Sequence, residues 1–113
     1  MKQKVSDYIA EYIAQWGIRD VFTVTGGGAM HMNDAFGHHK MLHCTYQHHE
    51  QACAMAAEAY ARLGNKMAAV CVTTGPGATN AITGVLGAWM DSIPMLVFSC
   101  QARYATTVSA SGL

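Results

Sequence analysis

The chain has 113 residues, 51% of them hydrophobic and 12% charged, with a formal net charge of zero. That length holds one domain, not two, and the charge balance excludes a nucleic-acid binder that works through a basic face. No apolar run nears the ~20 residues of a membrane span, and the N-terminal residues do not read as a signal peptide.

Ser6 reads as an N-cap for a helix from Asp7 to Gly17, with Ile9, Tyr12, Ile13 and Trp16 at helical spacing. Val21 to Thr25 reads as a strand ended by Gly26-Gly27-Gly28, followed by a short helix from Met30 to Phe36. Met41 to Tyr46 reads as a second strand, and Glu50 to Leu63 as a helix with a Glu58–Arg62 pair at i,i+4. Ala68 to Thr73 reads as a third strand, Gly75-Pro76-Gly77 as a turn, and Thr79 to Met90 as a helix without charge. Met95 to Ser99 reads as a fourth strand, and no closing helix is expected after it. Alternating strands and helices predict an α/β fold: a doubly wound parallel sheet with helices on both faces. The last two strands are near-continuous apolar runs, as for strands buried on both faces.

Ordinary domains carry about 25% charged residues, twice the share here. We therefore expect much of the surface to be covered, by another subunit or by further chain. Cys44, Cys53, Cys71 and Cys100 form no CxxC pair and lie in or beside apolar segments. They read as small hydrophobes in a reducing, cytoplasmic protein.

In such a sheet, ligands bind outside the carboxyl ends of the strands. Four segments fall there: Gly26 to Gly28, His48 to Gln51, Thr74 to Asn80, and the stretch from Cys100. Gly75-x-Gly77-x-x-Asn80 follows a strand and opens a helix, a context that suits phosphate capture. It lacks the third glycine, the later acidic residue and the P-loop lysine, so a plain tight turn is the alternative. His49-Glu50-Gln51-Ala52-Cys53 is one residue from the HExxH zinc signature, but no third ligand stands at a recognised spacing. No metal site is expected. Glu50 stands at a helix N-terminus, where the dipole favours negative charge. It either caps its helix or exchanges a hydrogen bond or proton with a ligand.

Taken together, Gly26-Gly27, His49-Glu50-Gln51, Ala57 to Arg62, Thr74 to Asn80 and Asp91-Ser92-Ile93-Pro94 form one pattern. It resembles the N-terminal pyrimidine-binding domain of thiamine-diphosphate enzymes of the acetolactate synthase type, over essentially all 113 residues. The resemblance implies a carboligase or decarboxylase acting on a 2-keto acid such as pyruvate. Glu50 falls on the family's glutamate, which hydrogen-bonds the cofactor aminopyrimidine and promotes the imino tautomer that takes the thiazolium C2 proton. Thr73, Pro76, Gly77 and Asn80 fall on the pyrimidine pocket, and Val24, Thr25 and Gly26 on its glycine loop.

The resemblance also implies that residues 1–113 are a truncated pyrimidine domain, without the central and diphosphate-binding domains. The cofactors it implies are thiamine diphosphate, and Mg²⁺ held by the diphosphate-binding domain. FAD is a further candidate, resting on the central domain. The active site is implied to form between two subunits of a homodimer or homotetramer, so this stretch alone would be inactive. Val24-Thr25 stands where acetolactate synthases tend to have Tyr-Pro, His31 where they have Pro, and Cys100 where Gly is common. The Val24 to His31 run is closer to acetolactate-synthase-like proteins of surface-polysaccharide and branched-sugar pathways. The acceptor is then a second keto acid or a keto-sugar. The alternative is a non-catalytic truncated module that pairs with a full-length subunit.

Overall fold

The computed structural model describes residues 2–112, except for the side chains of Ser109 and Ser111. The elements run α1 (Val5–Gln15), β1 (Asp20–Thr23), a 3-10 turn (Gly27–Ala29), α2 (Met30–His38), β2 (His43–Tyr46) and α3 (Glu50–Gly64). Then come β3 (Ala69–Val72), α4 (Pro76–Met90), β4 (Leu96–Ser99), a second 3-10 turn (Tyr104–Thr106) and α5 (Val108–Ser111). The strands form one parallel sheet in the order β2-β1-β3-β4.

Alternation along the strands divides the core in two. Val21 of β1 and Ala69 and Cys71 of β3 pack with Ala10 and Ile13 of α1 and Ala35 and Phe36 of α2. Phe22 of β1 and Val70 and Val72 of β3 pack with Cys53, Ala54 and Ala57 of α3 and Ala81 of α4. This is the doubly wound α/β sheet that the sequence predicts. All four residues of β3 are buried, as expected of a central strand. β4 is only half-buried because it forms the sheet edge. Its apolar run, read as doubly buried, is thus covered incompletely.

Several boundaries differ from the sequence reading. Lys4, not Ser6, holds the N-cap position of α1. Ser6 lies inside the first turn, buried, with an unpartnered hydroxyl. The α1 C-terminus closes with Gly17 N–H donating to Ala14 O and Ile18 N–H to Ile13 O, a Schellman arrangement. The proposed turn at Gly75-Pro76-Gly77 is the start of α4. Gly75 is its N-cap at φ +62°, a conformation that glycine adopts freely, and Pro76 occupies the first helical position. The segment after β4 carries a 3-10 turn and the short α5, where no helix was expected.

The helix pairs are held differently. α3 and α4 approach so closely that a Cβ at Gly84 would lie 2.5 Å from the Ala54 Cβ and 3.0 Å from the Met55 backbone nitrogen. At the far end Arg62 donates to Glu58 Oε1 at 2.6 Å and also to Asp91. α1 and α2 are joined by polar pairs, Lys4–Asp34 at 3.2 Å and His39 with Glu11 at 3.0 Å. No helix among the described residues is long and apolar enough to cross a membrane.

Candidate functional site

β1 connects to β2 on one side, while β3 lies on its other side. The chain direction through the sheet therefore switches between β1 and β3, and a crevice opens at their carboxyl ends. The segments that leave those ends are Val24 to Gly28 and Thr73 to Gly77. Both are rich in glycine, and the structure shows why. Thr73 sits between them: a Cβ on Gly26 would clash with its side chain, and a Cβ on Gly77 would lie 2.8 Å from its methyl carbon. The Thr73 hydroxyl oxygen accepts a hydrogen bond from Gly28 N at 3.1 Å. The two loops therefore close on one threonine with backbone rather than side chains.

Glu50 is the first residue of α3 and is half-exposed. The His49 ring nitrogen accepts from Gln51 N at 3.1 Å, so His49 performs the capping. Glu50 is thereby freed from the capping role that the sequence left open for it. Its Oε2 accepts from Asn80 Nδ2 of α4 at 2.9 Å. Its Oε1 lies 3.5 Å from where a Gly77 Cβ would stand. The crevice thus presents a carboxylate beside a carboxamide, at the starts of two adjacent helices.

Of the site residues expected from the sequence, Gly26, Thr73, Gly77, Glu50 and Asn80 come together through these contacts. Pro76 begins α4 beside them and is exposed. Val24 and Thr25 lie just beyond β1; Val24 packs on the α3–α4 core, whereas Thr25 lines a cleft with Gly26, Gly27, Met30 and Asn33. The phosphate reading of the Gly75 turn meets the Glu50 carboxylate, which would oppose an anion at that place. The zinc reading fails on geometry: Cys53 is fully buried in the core, and His49 is engaged at the helix start. Among the described residues, no group of three His, Cys, Asp or Glu could hold a metal ion.

The sequence reading did not single out Asn33, and it gave Thr74 and Gln101 no role of their own. Asn33 of α2 accepts from Gly26 N at 3.4 Å and donates to the buried Thr23 hydroxyl at 3.2 Å. Thr74 donates to Gln101 Oε1 at 2.7 Å, which joins the ends of β3 and β4. A polar side chain three positions into a helix behind a glycine run was the available signal for Asn33.

The thiol groups are insulated. Burial pushes the Cys53 thiol up to about 11 and the Cys71 thiol higher still. Cys44 and Cys100 are also raised, again chiefly by burial. All four are free thiols.

Comparison with known proteins gives the family. The thiamine pyrophosphate enzyme N-terminal TPP binding domain matches residues 3–111. The chain is 36% identical over 96 residues to the acetolactate synthase large subunit of Lactococcus lactis, covering 85% of this chain and 17% of that protein. It is 41% identical over 96 residues to the acetolactate synthase large subunit of Buchnera aphidicola from Schizaphis graminum, with the same coverage. It is also 36% identical over 99 residues to the chloroplastic acetolactate synthase 2 of Zea mays, covering 88% of this chain and 16% of that protein. The chain thus spans about a sixth of the length of these curated relatives. It belongs to the N-terminal TPP-binding domain family of thiamine pyrophosphate enzymes, and within that family it is acetolactate synthase-like.

Proposed function

We propose that this chain forms the pyrimidine-binding part of a thiamine-diphosphate-dependent carboligase or decarboxylase, and that Glu50 hydrogen-bonds the aminopyrimidine ring. The observation that carries this reading is the Glu50–Asn80 pair, held at 2.9 Å in the switch-point crevice.

The residues present fit an aminopyrimidine. Such a ring offers both hydrogen-bond donors and acceptors, and a carboxylate and a carboxamide side by side can answer both. The crevice wall is glycine backbone packed on Thr73, which lets a flat ring approach closely. In this reading Asn80 orients the Glu50 carboxylate, and Glu50 holds or passes a proton at the pyrimidine nitrogen. His49 keeps the start of α3 in place. Thr73, Gly77 and Pro76 shape one wall, and Val24, Thr25 and Gly26 the other. When bound, thiamine diphosphate supplies the carbon nucleophile and electron sink for making or breaking a bond beside a keto group. The crevice segments, residues 24–28 and 73–80, contain no Lys or Arg. The reading therefore places the diphosphate and its Mg²⁺ on a further domain outside residues 1–113.

The substrate class in this reading is a 2-keto acid such as pyruvate, and a second subunit completes the site. Supporting the latter, α4 carries no charge along its length, and its Ile82, Leu86, Trp89 and Met90 are exposed. A cytoplasmic location accords with four free thiols.

The test is a calorimetric titration of thiamine diphosphate with Mg²⁺ into the protein expressed from its complete reading frame. Saturable binding is expected, weakened about tenfold or more in Glu50→Gln, since a charge-assisted hydrogen bond is lost. Absence of binding by the unaltered protein, or equal affinity in the variant, would contradict the proposal.

A further inference from the structure

We propose that Asn33 is a positioning residue that sets the cofactor wall from behind, a role that rests on the pyrimidine-binding reading above. Asn33 lies on α2, on the opposite face of the sheet from α3, which bears Glu50. Its carboxamide reaches three groups. Oδ1 accepts from Gly26 N at 3.4 Å, and Nδ2 donates to Thr23 Oγ1 at 3.2 Å and lies 3.8 Å from Cys71 Sγ. Thr23 is buried, and its hydroxyl proton is already committed to Cys71 O at 2.8 Å. The Thr23 oxygen can therefore only accept, which requires a donor at position 33. Asn supplies that donor and, from its other terminal atom, the acceptor for the glycine loop.

The consequence runs toward the site through close contacts. Gly26 is pinned by Asn33 on one side and packs without clearance on Thr73 at the other. Thr73 holds Gly28 through its hydroxyl, and its methyl group fills the space left by Gly77. Gly77 in turn borders the Glu50 carboxylate. A loop freed from Asn33 has lost one of its two tethers, so the place of Thr73 in the wall is no longer fixed. Packed groups with so little clearance transmit such shifts rather than absorb them. Asn33 has no direct contact with Glu50 or Asn80 among its hydrogen bonds, so it acts through the loop.

Two variants separate positioning from mere support. In Asn33→Ala both interactions go. In Asn33→Asp the acceptor for Gly26 stays and the donor to Thr23 goes. Hydrogen–deuterium exchange of the protein from its complete reading frame, without cofactor, reports on the loop itself. The expected result is faster exchange across residues 24–28 in Asn33→Ala, with unchanged protection in β3. Asn33→Asp is expected to retain protection at Gly26. Titration with thiamine diphosphate and Mg²⁺ is then expected to show affinity reduced about tenfold in Asn33→Ala and less in Asn33→Asp. Unchanged loop exchange in Asn33→Ala overturns the tether. Faster loop exchange with unchanged affinity overturns the positioning role. Global loss of protection, β3 included, assigns Asn33 to the fold and also overturns it. If the unaltered protein binds no thiamine diphosphate, the pyrimidine-binding reading falls and takes the positioning role with it, whatever the loop does.

Discussion

Glu50 and Asn80 stand thirty residues apart in the chain and 2.9 Å apart in space. Glu50 opens α3 and Asn80 lies in the second turn of α4, on the same face of the sheet, and the topology makes them neighbours. Glu50 could be singled out from the sequence because a carboxylate at a helix start, followed by small apolar residues, is unusual unless it caps. What the sequence could not show was that His49 already does the capping. Asn33 and Thr23 were illegible for a similar reason: their value lies in which lone pairs and protons are already committed, and that requires coordinates. The thiols give a prediction at this scale. The thiolate is the reactive form, and a Cys53 thiol pushed up to about 11 leaves roughly a thousandth of it ionised at pH 8. Cys53 and Cys71 should resist a thiol-labelling reagent at pH 8 in the folded protein, while all four cysteines label in denaturant. Rapid labelling of Cys53 or Cys71 in the folded state would contradict the burial described.

Helix α3 and helix α4 meet through small residues, and their contact fixes the spacing of Glu50 and Asn80. Small residues are frequent along both helices, from Ala52 to Ala61 in α3 and at Gly84 and Gly87 in α4. Gly84→Ala tests it, because two effects oppose each other. Helix propensity favours Ala by about 1 kcal/mol. Against that, the new methyl group would meet Ala54 Cβ at 2.5 Å and the Met55 backbone at 3.0 Å, and overpacking of this kind costs about 1–3 kcal/mol. Backbone cannot swing aside as a flexible side chain can, so destabilisation wins. Denaturant unfolding should show a loss of about 1–2 kcal/mol; equal or greater stability would mean that the helices separate freely. Other elements were read with shifted ends. Ser6 reads as the cap of a helix from Asp7 because serine is a good cap, yet Ser6 is drawn inward with the apolar face and Lys4 takes the cap position. α4 starts at Pro76, three residues before the Thr79 that the sequence suggests, because a Gly-Pro-Gly run reads equally as a turn or as an N-cap with proline behind it.

At the scale of the molecule, apolar surface remains on both sides of the open β4 edge. Tyr8 and Tyr12 of α1 and Trp16 at its C-terminal cap border a groove with Leu96 and Phe98, and Ile82, Leu86 and Trp89 of α4 border another with Val97. Trp89 is 80% exposed and Met90 74%. The low charge content led to the expectation of a covered surface, and exposed apolar area of this extent marks contact sites. An unpaired edge strand adds a tendency to self-pair. The 113-residue chain alone should therefore self-associate and bind an apolar dye, and Leu86→Glu with Trp89→Glu should reduce both. A monodisperse monomer without dye binding would contradict the exposure described. The sheet order was not legible in the sequence beyond its class, since the hydrophobic pattern fixes which faces are buried and not which strands are neighbours. That order is what creates the crevice, and the central claim is that Glu50 works in it. The most direct measurement is turnover of pyruvate, with thiamine diphosphate and Mg²⁺ at saturation, by the protein from its complete reading frame and by its Glu50→Gln variant. Loss of a proton-transferring group predicts a fall of about 10²–10⁴-fold with an unchanged melting temperature. Near-normal turnover in Glu50→Gln would contradict the account.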